Sequence, residues 1–122
     1  MNKLSKTRDE KFGIYLYVLE LQNGKYYVGI TNNPERRFHE HRNCKTYSFI
    51  SKNLPIINIE KRLLKTSDRN RAKQLETEKT IELIKRYGIA NVSGGKILGD
   101  FHERIINFKI YFNSLMNGYY IY

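Results

Sequence analysis

Residues 12–31 read FGIYLYVLELQNGKYYVGIT, and this stretch decides the fold. Phe12–Leu21 is almost entirely apolar and rich in aromatic and branched residues, which predicts a strand buried on both faces. Gln22-Asn23-Gly24-Lys25 interrupts it, and Asn-Gly readily takes the left-handed backbone that closes a tight hairpin. Tyr26–Thr31 then returns as a second strand.

Downstream of the hairpin, Asn32-Asn33-Pro34-Glu35 opens a helix with a capping amide, a proline in the first turn and an acid beside it. That helix should run to about Asn43, and residues 44–55 read as loop. Pro55–Lys65 alternates in part and predicts a third strand. Ser67 or Asp68 caps a long helix that reaches Tyr87 and is closed by Gly88. Ile89–Lys96 is a short strand or turn with two adjacent glycines. Asp100 and Glu103 form a capping pair, after which Phe101, Ile105, Phe108, Phe112 and Leu115 recur at helical spacing as far as Gly118. The order predicts a small α+β fold: a three-stranded, mainly antiparallel sheet flanked by helices, plus a C-terminal helix. Residues 1–11 are then a basic lead-in, 12–97 the core and 98–122 a C-terminal helical extension.

The chain of 122 residues carries 22 Lys and Arg against 12 Asp and Glu, a formal charge of +10 that excludes an acidic solvating protein. Such a charge favours an anionic partner, nucleic acid being the commonest large one. The single cysteine, Cys44, excludes an internal disulfide framework, and with His39 and His102 it makes no convincing zinc set. No apolar run approaches the roughly 18 residues that span a bilayer. The polar start, Met1–Lys11, has no apolar signal core, so the expectation is a soluble intracellular protein, cytoplasmic or nuclear.

One carboxylate stands out. On the long helix, Ala72, Leu75, Thr80, Leu83 and Tyr87 share a face with Ile84 at its edge, and Glu76 falls in the middle of it. A carboxylate there must be paired with Arg or Lys, protonated, or bound to a cation. Arg37 and His41, four apart, leave one face of the first helix; alone, the pair reads more readily as a solvated surface than as a site. Tyr15 and Tyr27 lie on the two arms of the hairpin and could approach each other across a short turn.

Taken in order, Gly13-Ile14-Tyr15, Tyr27-Val28-Gly29, Arg37-x-x-x-His41, Glu76 and Asn91 resemble the GIY-YIG nuclease family over about residues 12–96. The stretch Glu76–Gly95, with Tyr-Gly at the helix end followed by Asn-Val-x-Gly-Gly, is similar to one branch of that family. Val28 replaces the second motif's isoleucine, Ile30 stands where some relatives carry lysine, and Ser93 where that branch usually has arginine.

The resemblance implies a metal-dependent DNA endonuclease that hydrolyses phosphodiester bonds with one Mg²⁺ or Mn²⁺ ion. It implies Glu76 as metal ligand and Arg37 on the phosphate, favouring ionisation of a tyrosine. Tyr27, assisted by Tyr15, would activate the water, and His41 would relay a proton or bind phosphate. Asn91 would fix the site or substrate, or else simply cap the turn before Gly94. Arg36, Arg42, Lys45, Lys61, Arg62, Arg69 and Lys73 are the candidates to hold DNA by its phosphates. The other readings are a catalytically inactive nucleic-acid-binding module and a basic scaffold protein working through its C-terminal helix. That helix is expected to brace the core; a homodimer contact, a targeting partner or a wedge in DNA are the other uses open to its apolar stripe.

Overall fold

The computed structural model describes residues 13–116. The lead-in, Phe12, Gly118 and the terminal Tyr119, Tyr120 and Tyr122 lie outside the described residues. Strand β1 (Ile14–Glu20) pairs antiparallel with β2 (Tyr26–Thr31) on one side and with β3 (Asn58–Leu64) on the other. The hairpin turn, Gln22–Gly24, places Asn23 at φ 62 and Gly24 at φ 67, the left-handed backbone that this dipeptide tolerates. Helix α1 (Pro34–Arg42) starts where the Asn33 side chain accepts from the Arg36 backbone N–H. A short helix α2 (Ser48–Ser51) occupies part of the stretch expected to be loop. Helix α3 (Arg69–Tyr87) is capped by the Asp68 side chain and ended by Gly88 at φ 91. Helix α4 (Phe101–Met116) opens on a reciprocal box in which the Asp100 and Glu103 side chains each accept the other's backbone N–H at 2.8 Å.

The sheet has four strands, one more than expected. Val92–Gly94 forms β4, parallel to β2 at Tyr26–Val28, and the order is β3-β1-β2-β4. A three-residue parallel strand is too short to carry a readable alternation. Its approach to α3 depends on Gly95, at φ 51: a Cβ there would meet Thr77, itself buried and overlooked on the helix's inward face.

Because β1 is covered on both faces, the sheet carries two apolar layers. Ile14, Leu16 and Val28 face Ala72, Leu83 and Ile84 of α3. Tyr17, Leu19 and Tyr27 face Phe38 of α1 and Phe49 and Ile50 of α2. Tyr87, placed by periodicity on the inward face of α3, instead lies outside, stacked on Tyr26 at 4.2 Å between ring centroids.

The brace expected of α4 takes a different form. Phe101, Phe112 and Leu115 of the apolar stripe are 49%, 51% and 41% exposed, while Arg104 and Tyr111 are buried. Arg104 donates to the carbonyls of Ile89, Ala90 and Gly99, and its guanidinium lies 4.8 Å from the Phe49 ring centroid. One cation thus satisfies the carbonyls of the loops around β4. Replacing Arg104 by Ala strands the Ile89 and Ala90 carbonyls, while Gly99 keeps the Tyr47 hydroxyl, and is expected to cost on the order of 3 kcal/mol. Urea unfolding measures this; an unchanged midpoint would show that α4 does not hold β4.

Candidate active site

The antiparallel register sets the site. Tyr17 stands opposite Gly29 and Leu19 opposite Tyr27, so Tyr17 and Tyr27 leave the same face toward α1. Their ring centroids are 6.4 Å apart. A Cβ added to Gly29 would collide with the Tyr17 hydroxyl and ring, so the second motif's glycine is the floor on which the Tyr17 ring lies. Gly29→Ala should therefore push a wholly buried ring out of place and lower stability by about 2–3 kcal/mol. Thermal unfolding checks this, and a wild-type midpoint would refute the close fit.

From α1, Phe38 packs edge-on against Tyr17, while Arg37 and His41 reach the two phenols. Arg37 Nε donates to the Tyr17 hydroxyl at 3.4 Å, and its Nη1 donates to Glu40 at 3.0 Å. The guanidinium is thereby held at two points with its remaining donors at the cleft. His41 is 4% exposed and its Nε2 lies 2.7 Å from the Tyr17 hydroxyl, so the solvated-surface reading of this residue fails. Tyr47, from the loop before α2, closes the cluster beside Tyr27 and bonds Ser93 at 2.6 Å. Ser93 is wholly buried. Tyr27, Arg37, His41 and Tyr47 line an open cleft of about 520 Å³ together with Cys44 and Lys45.

Glu76 lies on α3, which packs on the other face of the sheet from this cluster. Strand β4 stops at Gly94, opposite Val28, and beyond that point Glu76 comes up to the backbone of Ile30. Its charge is felt at both Tyr17 and Tyr27. Burial pushes its carboxyl up to about 7, against the pull of Arg69, Lys73 and Arg37. The ion pairs formed among the described residues, Arg36–Glu40, Arg37–Glu40 and Lys79–Glu82, do not include it.

A half-buried carboxylate with hard oxygen donors and no salt bridge fits a divalent cation. Among the described residues no group of three or more His, Cys, Asp or Glu forms a closed cage. An ion held by Glu76 would therefore take one carboxylate from this chain and the rest of its oxygens from water and substrate, an arrangement that suits Mg²⁺.

Burial also dominates the other titrations. It pushes Tyr27 up to about 12, outweighing Arg37, and holds the Tyr17 proton still more firmly. Both phenols are neutral at pH 7, so Arg37 by itself does not ionise a tyrosine here. Burial and Arg37 together push His41 down to about 4, leaving its imidazole neutral.

Two expected members stand apart. Tyr15 pairs with Thr31 and Leu63, one step out along the same face from Tyr17, and the Lys61 ammonium lies 5.6 Å from its ring centroid. The ring that meets Tyr27 is that of Tyr17, which the sequence reading passed over. Asn91 accepts from Lys25 Nζ at 2.8 Å and donates to the Tyr87 carbonyl at 2.8 Å. It therefore ties down the far end of α3, roughly 16 Å along the helix from Glu76. The candidate DNA contacts Arg36, Arg42, Lys45, Lys61, Arg62, Arg69 and Lys73 are all exposed, and the charges of Arg69 and Lys73 bear on Glu76. Arg62 pairs with Leu16 and faces the opposite side of the sheet, where it lines a groove with Glu78 and Lys79.

A family model described as the GIY-YIG catalytic domain matches residues 13–87, more than half of the chain. No curated protein and no solved structure matches the chain significantly.

Proposed function

Because the chain belongs to the GIY-YIG nuclease family, we propose that it is a metal-dependent DNA endonuclease whose site is Glu76, Arg37 and Tyr27. The observation that supports this reading is Glu76, half-buried and without a salt bridge, near enough for its charge to bear on the buried Tyr27 phenol and on Arg37. Glu76 would hold one Mg²⁺ or Mn²⁺ ion. When bound, that ion supplies Lewis-acid neutralisation of the charge that gathers on the phosphate and the leaving oxygen.

The chain's own groups do the rest. Arg37, tethered through Nε and Nη1, aims its remaining donors at the scissile phosphate, a geometry that lysine cannot copy. Tyr27, neutral at rest, first gives its own phenolic proton to solvent in the cleft it lines, a loss that the Arg37 charge favours, and the phenolate then takes the proton of the attacking water. Tyr15, under Lys61, extends the same face outward as substrate-contacting surface. Arg69 and Lys73 beside Glu76, with Lys61, Lys45, Arg42 and Arg36, would bind flanking phosphates without reading sequence. Asn91 would keep the helix that carries Glu76 in place.

Supercoiled plasmid tests this. With protein and Mg²⁺, nicked and then linear DNA should accumulate, and chelation or Glu76→Ala should stop it. Binding without any cleavage would favour the inactive nucleic-acid-binding module; neither would favour the scaffold reading, in which the exposed stripe of α4 does the work.

A further inference from the structure

The Tyr17 hydroxyl has two neighbours that differ in one respect. The arginine guanidinium can only donate, whereas an imidazole nitrogen can donate or accept. Arg37 Nε donates to the Tyr17 oxygen at 3.4 Å. The phenol is 1% exposed and must place its own proton somewhere. Among the described residues the acceptor within reach is His41 Nε2, at 2.7 Å. The chain of donors then runs in one direction, from Arg37 through Tyr17 to His41. It fixes the imidazole proton on Nδ1 and fills Nε2.

We propose that Tyr17 is a positioning residue of the cleavage site: its hydroxyl locks His41 as the Nδ1–H tautomer and holds Arg37 in line with the cleft. This rests on the nuclease reading for its catalytic consequence, not for its geometry. With Nε2 occupied, His41 has no free basic nitrogen for the attacking water, and that task stays with Tyr27. The ring of Tyr17 serves packing against Phe38 and Gly29; the hydroxyl serves the site. The groups facing His41 are Tyr17 and Tyr27 from the sheet and Arg37 and Glu40 from its own helix.

Nitrogen NMR of the imidazoles at pH 7, where His39 and His102 are exposed and serve as internal references, separates the tautomers. Wild-type His41 should show a protonated Nδ1 and a bare Nε2; a protonated Nε2 overturns the proposal without any cleavage assay. In Tyr17→Phe the ring stays and the donor goes. His41 should shift toward the Nε2–H form, and kcat should fall about five- to tenfold with KM for DNA unchanged. A variant that keeps the wild-type tautomer, or cleaves at the wild-type rate, overturns it. If the wild type itself cleaves nothing, the nuclease reading fails while the wild-type and Tyr17→Phe tautomers still decide the hydrogen-bond direction.

Discussion

Glu76→Gln should abolish cleavage, by at least about 10³-fold, and at the same time make the metal-free protein more stable. A merely structural carboxylate would not give both effects. In the folded chain the Glu76 carboxyl is raised to about 7 from an ordinary 4.5, because burial penalises its charge. A raised folded value contributes stability that is complete below the unfolded value and is lost as pH climbs through the folded one. At pH 8 without metal the wild type therefore carries a strained carboxylate, and the isosteric amide relieves about 1–3 kcal/mol. The gap between variant and wild type should open between pH 4.5 and 7.

His41 has the opposite sign. Its folded value is lowered to about 4 from 6.5, so its contribution is present above 6.5 and is lost on acidification. In the wild type these two contributions oppose each other across the same window. In Glu76→Gln the His41 slope stands alone, and stability should fall as pH drops from 6.5 toward 4. Urea midpoints across that range measure both. A Glu76→Gln protein that is less stable than wild type at pH 8 without metal would mean that the carboxylate's hydrogen bond to the Ile30 backbone outweighs the cost of burying its charge.

Arg37→Ala should lower kcat by about 10²–10³-fold while DNA binding weakens only a few-fold. The guanidinium is held by Tyr17 and Glu40 before substrate arrives, so its donors need no reorganisation as charge develops on the phosphate. Other exposed cations share the work of affinity; among the described residues none of them hydrogen-bonds the buried Tyr17 phenol as Arg37 does. Arg37→Lys should rescue binding but little of the rate, since one ammonium nitrogen cannot stand where Nε meets Tyr17 and where Nη1 meets Glu40 and still present a fork to the phosphate. Single-turnover cleavage beside a binding titration separates the two quantities. Equal losses in both would make Arg37 one more phosphate anchor.

The hairpin, the capped helices and the inward Glu76 were legible in the sequence because each has a local cause. Asn-Gly makes the turn, Asp68 and the Asp100–Glu103 box make the helix starts, and periodicity places a carboxylate among apolar neighbours. The identity of the phenol partnering Tyr27 was not legible. A two-residue Asn-Gly loop would have set Tyr17 opposite Ile30 and turned the two phenols to different faces. The real turn spans Gln22–Gly24, and that one residue sets Tyr17 opposite Gly29. Tyr15 and Tyr17 share a face, so resemblance to a motif favoured the first and packing favoured the second. Gly29 was the clue: a strand glycine signals something lying across it.

Arg104 was hidden for another reason. A lone arginine beside an apolar stripe reads as solvated, and only the carbonyls of Ile89, Ala90 and Gly99, brought together by the fold, make it a buried tie. Asn91 shows the converse. Its place in the ordered series suggested the reaction centre, while its hydrogen bonds to Lys25 and the Tyr87 carbonyl put it at the other end of α3.

Paramagnetic broadening by Mn²⁺ in the amide spectrum of the protein tests the cation site most directly. The wild type should lose signals first around Glu76, Ile30 and Tyr27, and Glu76→Gln should lose that pattern. Broadening centred instead on Glu60, Glu78 and Glu82, in the groove on the opposite face of the sheet, or a pattern around Ile30 that survives Glu76→Gln, would contradict the account.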